Sequence, residues 1–388
     1  VMDRVTRKIV GFLLLRKTST LVIAAMIVLP IGFALPACSR PFPRQRPVFD
    51  QPTFTPSNQS IPTQSLYKPN LGSYTVGVAD DLSLFDSRRK RQLPVKVYYP
   101  QGQGSFPVII FSHGGGGGSK EGFSYLGEFW ASQGYISIHP SHSDSSSLRE
   151  TEDNAQPLEY RPQDVSFVID SLQALEGKIP QLRGKIDRAR IGVAGHSFGA
   201  YSALWMAGQM VDTAQRKDVS FRDPRVRAFL AISPPGTGRG GLDERSWDRI
   251  TAPVMIVSGS NERGDDWRME PFKNMPAGNK YYLLFQDAYH SSYNDYKPGG
   301  RRGLMQDRET IQNIHTHLQS ASIAFWDSYL KQDNAAKQFL QSDALPGGNM
   351  DAPLSSNRDV FPRSNRDAFP RRDRLPSSGG GQVTLFKK

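Results

Sequence analysis

The stretch most able to do chemistry is Gly195-His196-Ser197-Phe198-Gly199. It follows the apolar run Arg190 to Ala194, which reads as a strand, and a helical pattern starts at once from Phe198. In a strand–turn–helix setting the flanking glycines allow a sharp, close-packed turn that lifts the serine hydroxyl above the sheet as a nucleophile. A serine is a poor nucleophile at neutral pH without a histidine base, and the base needs an acid to fix its tautomer. Three histidines follow Ser197. His315 and His317 stand two apart inside a helical stretch and face different sides. His290 instead follows the strand-like run Tyr281 to Phe285, at the end of the loop Gln286-Asp287-Ala288-Tyr289-His290, and is the expected base.

The acid comes from the loop Gly259-Ser260-Asn261-Glu262-Arg263-Gly264-Asp265-Asp266, which offers three carboxylates. Glu262 is the first choice because it lies just past the strand end. Asp265 and Asp266 stay as alternatives that need the loop to fold back, and Asp287 reads as a turn residue. An oxyanion hole needs two backbone N–H groups. Phe198 supplies one as the residue after the nucleophile. The other is assigned to Gly115, with Gly114 as the alternative, in Ser112-His113-Gly114-Gly115-Gly116-Gly117-Gly118-Ser119. That loop lacks the G-K-[ST] ending of a phosphate-binding loop, which argues against nucleotide binding. His139 and His142 have a suggestive spacing, but two histidines without further ligands nearby favour a structural role over a metal site.

These residues must be carried by regular elements. Val95 to Tyr99, Val108 to Phe111, Tyr135 to His139, Ala228 to Ser233 and Pro253 to Ser258 also read as strands, several of them apolar throughout, as strands buried on both faces are. Helical patterns cover Gly122 to Ser132, Asp164 to Leu175, Phe198 to Met210 and Asp307 to Tyr329. The alternation predicts an α/β fold: a mostly parallel central sheet with helices on both faces, and ligands bound beyond the strand C-termini. The segments Ser143 to Tyr160 and Pro235 to Trp247 are long polar connections at those strand ends and are expected to cap the site.

The formal charge of the 388-residue chain is +11. The excess sits at the ends, with eight basic residues and one acid in residues 1–46 and eight against four in residues 347–388. The balanced middle gives no field for a phosphate backbone, and nucleic acid is not an expected partner. The single cysteine, Cys38, excludes intrachain disulfides and cysteine-built zinc or iron–sulfur sites. It closes an N-terminal segment with basic residues Arg4, Arg7, Lys8, Arg16 and Lys17, an uncharged apolar run from Thr18 to Ala37, and Leu35-Pro36-Ala37-Cys38. This segment resembles a bacterial lipoprotein signal in which Cys38 takes the lipid. A cleaved secretory signal and a retained anchor are the other readings, and all three place the body outside the cytoplasm, with the membrane as partner in two of them. The expected organisation is export signal or anchor 1–38, a linker rich in Pro, Ser, Thr and Gln at 39–71, a catalytic domain 72–345, and a low-complexity, disordered tail 346–388. The tail holds the near-repeat Asn357-Arg358-Asp359-Val360-Phe361-Pro362-Arg363 and Asn365-Arg366-Asp367-Ala368-Phe369-Pro370-Arg371.

The stretches V-K-V-Y-Y-P, F-P-V-I-I-F-S-H-G and W-A-S-Q-G-Y between Val95 and His142, with R-I-G-V-A-G-H-S-F-G-A around Ser197, resemble bacterial α/β-hydrolases of the dienelactone-hydrolase type. They are also similar to platelet-activating-factor acetylhydrolases. The resemblance spans about residues 72–345 and implies the α/β-hydrolase fold, with ester hydrolysis through Ser197 and His290 and neither metal nor organic cofactor. Two departures stand out. Dienelactone hydrolases use a cysteine nucleophile, whereas the only cysteine here is in the export segment, and acetylhydrolases have Asp where Glu262 stands. The expected activity is that of a serine carboxylester hydrolase acting through an acyl-enzyme on a small or lipid-like ester. A peptidase of the same fold and a catalytically inactive, surface-anchored binding lipoprotein are the alternatives.

Overall fold

Nine strands form one sheet in the computed structural model, which describes residues 66–115, 118–145, 159–262, 265–295, 306–342 and 383–388. In chain order they are β1 (Thr75–Asp86), β2 (Arg91–Gln101), β3 (Phe106–Ser112), β4 (Ile136–Pro140), β5 (Ile186–His196), β6 (Val226–Ile232), β7 (Val254–Gly259), β8 (Lys280–Phe285) and β9 (Val383–Lys387). Their spatial order is β1-β2-β4-β3-β5-β6-β7-β8-β9. The six central strands, from β4 across to β8, are parallel, while β1, β2 and β9 run antiparallel to their neighbours. This is the mostly parallel α/β sheet that the strand–helix alternation predicts.

The apolar runs of the central strands are buried on both faces. In β3, Val108 and Ile110 join one core layer with side chains from α2 (Tyr160–Asp170), α3 (Leu172–Lys178), α4 (Phe198–Ala207) and α6 (Glu270–Asn274). Ile109 and Phe111 turn the other way, into a layer built from α1 (Ser124–Ser132), α7 (Arg308–Leu330) and α8 (Asn334–Gln341). The period of two along a strand thus feeds two separate cores. A short helix, α5 (Asp265–Arg268), follows β7.

Three expectations need correction. The helix expected over Asp164 to Leu175 starts earlier, at Tyr160, and breaks at Ser171 into α2 and α3. The disordered tail expected over 346–388 is wrong for its end: Val383-Thr384-Leu385-Phe386-Lys387 adds to β8 as an antiparallel edge strand, burying Val383, Leu385 and Phe386. Those apolar side chains outweigh the composition of the preceding stretch, of which 343–382 lie outside the described residues. The linker also gives way to the folded body before residue 72. Leu66 is buried, the Tyr67 hydroxyl donates to Asp327 Oδ2 at 3.0 Å, and Lys68 pairs with the same carboxylate at 2.6 Å.

Candidate active site

At the C-terminal end of β5 the chain turns sharply at Ser197, whose φ of 56° and ψ of −115° are strained for a residue with a side chain. The turn is held because the Ser197 N–H donates to the Ile232 carbonyl at the end of β6, 2.8 Å away. Its glycines are sterically required. A Cβ on Gly195 would stand 2.3 Å from the Gly199 backbone, and one on Gly199 would stand 1.8 Å from the Ser112 carbonyl oxygen. Both would collide with backbone, which cannot rotate away, so the G-x-S-x-G pattern follows from the packing of α4 against β3 and β5.

His290 lies in the loop after β8, its side chain 41% exposed, while the Glu262 side chain beside it is fully buried. His290 Nδ1 is 2.9 Å from Glu262 Oε2. The other carboxylate oxygen, Oε1, accepts from Ser233 Oγ at 2.7 Å and from the Gly259 N–H at 2.9 Å. The structure therefore brings His290 and Glu262 together. The two alternatives, Asp265 and Asp266, open helix α5 instead. The His290 ring stands 4.6 Å from the His196 ring, and its carbonyl accepts from His196 Nε2 at 2.9 Å, which fixes the loop beside the nucleophile. Among the described residues the Ser197 hydroxyl makes no hydrogen bond.

Arg268 has no signature in the sequence. Its guanidinium is buried at the end of α5, and Nε is 2.7 Å from Glu262 Oε2. Nη1 donates to the carbonyls of Ser233 and Pro234 at 2.6 and 3.0 Å, while Nη2 is 3.1 Å from His290 Nδ1. Burial pushes the guanidinium below its ordinary range, with Glu262 opposing that shift. Ser233, at a positive φ of 54°, turns its hydroxyl to Glu262 and its carbonyl to Arg268. His290 Nδ1 thus lies between an acceptor, Glu262 Oε2, and a donor, Arg268 Nη2; the tautomer in which Nδ1–H donates to Oε2 leaves Nε2 as the acceptor a general base requires.

The loop after β3 lies against this turn. A Cβ on Gly114 would be 3.5 Å from the Ser197 Cβ, and one on Gly115 would strike the Phe198 ring. Gly116 and Gly117 fall outside the described residues. Phe198 is 43% exposed, an aromatic wall beside the nucleophile, with the Arg161 guanidinium 6.0 Å from its ring centre.

His139 and His142 are buried and hydrogen-bonded within the protein. His139 Nε2 meets Ser137 Oγ at 2.9 Å, and burial pushes its imidazole down to about 3. His142 bridges Ser112 Oγ at 2.8 Å and Asp164 Oδ2 at 2.9 Å. Among the described residues no group of three His, Cys, Asp or Glu could hold a metal ion. His315 stacks on Tyr125 at 3.8 Å and contacts the Ser292 carbonyl at 3.0 Å. Of the two expected capping segments, residues 146–158 lie outside the described residues. The other packs onto the body, where the Ser246 and Gly241 carbonyls accept from the N–H groups of Met210 and Asp212.

Residues 70–234 match a family model described as chlorophyllase. A platelet-activating factor acetylhydrolase from Cavia porcellus is 23% identical over 306 residues, 66% of this chain and 65% of that protein. Cutinase est1 from Thermobifida alba is 25% identical over 202 residues, 51% of this chain and 58% of the cutinase. A bis(hydroxyethyl) terephthalate hydrolase from Streptomyces coelicolor is 23% identical over 250 residues, 63% of this chain and 64% of that hydrolase. The chain thus spans somewhat less than two thirds of the length of these relatives.

Proposed function

The chain is an α/β-hydrolase, and from that premise we propose that it is a serine carboxylester hydrolase working through an acyl-enzyme. The observation that carries the reading is the strained Ser197 on the β5–α4 turn, next to a histidine whose Nδ1 faces a buried carboxylate. In this mechanism Ser197 Oγ attacks the ester carbonyl carbon while its proton passes to His290 Nε2. Glu262 holds the resulting imidazolium through Nδ1–H, and the backbone N–H groups of Phe198 and Gly115 receive the oxyanion. Collapse expels the alcohol, which takes the proton from Nε2. Water, deprotonated by the same nitrogen, then frees the acid and restores Ser197. The cycle asks for no metal or organic cofactor. The exposed Phe198 ring favours an apolar group on the ester, in keeping with a small or lipid-like substrate.

The same reading extends to location. The basic flank, the apolar run and Cys38 support an exported, membrane-anchored protein. That segment lies outside the described residues, among which no helix is long and apolar enough to cross a membrane.

The test is hydrolysis of p-nitrophenyl esters beside matched p-nitroanilides by wild type and Ser197→Ala. Ester turnover that falls at least about 10³-fold in Ser197→Ala is expected. Full ester activity in that variant would exclude Ser197, and preference for the anilides would shift the reading to a peptidase.

A further inference from the structure

Behind the glycine loop lies a buried polar cluster that the hydrolytic cycle does not use. Ser112, His142 and Asp164 form a hydrogen-bonded chain, yet all three are within 1% of complete burial. No substrate reaches them, so the chain is not a second active site despite its resemblance to a triad. Its neighbour His113 has a determined tautomer. The His142 backbone N–H, which can only donate, gives its hydrogen bond to His113 Nε2 at 3.0 Å. The ring proton of neutral His113 therefore sits on Nδ1 and is donated to the Gly114 carbonyl at 2.7 Å. Burial pushes the imidazoles of both His113 and His142 well below their ordinary range, consistent with neutral rings.

Arg161, 3% exposed in the first turn of α2, completes the arrangement. Nη1 donates to the His113 carbonyl at 2.5 Å, and Nη2 donates to the Gly114 carbonyl at 3.2 Å. The same Nη2 is 2.7 Å from Asp144 Oδ2. A trans peptide points its N–H opposite to its C=O. The His113 carbonyl shares a peptide with the Gly114 N–H, and the Gly114 carbonyl shares one with the Gly115 N–H. One guanidinium therefore orients both glycine-loop candidates for the oxyanion donor that pairs with Phe198, turning their N–H groups away from itself. A cation on the carbonyl also polarises the peptide and strengthens its N–H as a donor.

We propose that Arg161 is the positioning residue of the oxyanion hole, aiming and polarising the Gly114 and Gly115 N–H groups by gripping the His113 and Gly114 carbonyls. The proposal rests on the serine-hydrolase reading, and it adds a requirement for a residue that touches neither substrate nor nucleophile.

The experiment compares full-length wild type, Arg161→Gln and Arg161→Lys with one p-nitrophenyl ester and one trifluoromethyl ketone, whose serine adduct carries the oxyanion. Circular dichroism and a melting curve establish that each variant is folded. Loss of an oxyanion donor costs about 10²–10³ in kcat, so a misaimed pair in Arg161→Gln is expected to lower kcat about 100-fold while KM stays within about twofold. The trifluoromethyl ketone Ki is expected to rise by a matching factor, and Arg161→Lys, keeping the charge without the fork, to fall between. A folded Arg161→Gln with kcat within about threefold of wild type would overturn the proposal. So would a loss carried by KM alone with Ki unmoved, or loss of the folded state in both variants. An inactive wild type would instead remove the serine-hydrolase reading itself, and the proposal with it.

Discussion

Replacing Glu262 by Gln isolates what the acid does. The two side chains have the same shape, but one carboxylate oxygen becomes an NH₂. Glu262 Oε1 accepts from two donors, Ser233 Oγ and the Gly259 N–H, at 2.7 and 2.9 Å, so the amide oxygen takes that side. The NH₂ then faces His290 Nδ1, 2.9 Å away, and the Arg268 guanidinium. An NH₂ can only donate, so Nδ1 must accept and the ring proton moves to Nε2, where it blocks transfer from Ser197. Trapping that tautomer costs about 10⁴ in kcat, or about 5.4 kcal/mol of transition-state stabilisation. The change also leaves the Arg268 cation without its counter-charge, for which breaking a buried pair costs about 3–5 kcal/mol. The two surviving hydrogen bonds to the amide oxygen put the expected loss at the lower end. The assay is kcat on a p-nitrophenyl ester with the folded fraction counted from the melting curve. A folded Glu262→Gln enzyme within tenfold of wild-type kcat would refute the argument and move the acid to Asp265 or Asp266.

Other parts of the fold give further expectations. Gly199→Ala forces a Cβ to within 1.8 Å of the Ser112 carbonyl oxygen and should cost about 3 kcal/mol or more with loss of ester turnover, read by urea unfolding; wild-type stability would contradict the packing described. Truncation before Val383 exposes the β8 edge and removes three buried apolar side chains. A loss of about 4 kcal/mol is expected, roughly a 10 °C drop in melting temperature, and an unchanged melt would show that β9 does not contribute. Burial alone would raise the Asp327 carboxyl, but Lys331, Lys68 and the Tyr135 hydroxyl overcome it and hold the group below its ordinary value. Its contribution to stability is therefore complete above about pH 4 and is lost as pH falls through the depressed folded value. Asp327→Asn should flatten the acid side of the stability–pH curve, and an unchanged curve would exclude Asp327 as its source.

The parallel strands were legible because each is a continuous apolar run, and the loops after β5, β7 and β8 could be ordered by the chain alone. That order leads to Ser197, Glu262 and His290, the three side chains gathered at one end of the sheet. What stayed hidden has physical causes. β1 is half-buried and carries a register shift between Ala79 and Leu82, which breaks the alternation that marks a strand. β9 is separated from the body by a long polar stretch, so its short apolar run has no local context. Arg161 and Arg268 hold backbone carbonyls, and backbone has no residue type to recognise. Such partners become visible only when the chain is folded.

The central claim is that Ser197 is an activated nucleophile. Its most direct test is mass spectrometry of the protein after incubation with a fluorophosphonate, read on wild type and on Ser197→Ala. A single covalent adduct is expected on the peptide holding Ser197, with none in the variant. A folded wild-type protein that takes up no adduct, or an adduct that persists in Ser197→Ala, would contradict it.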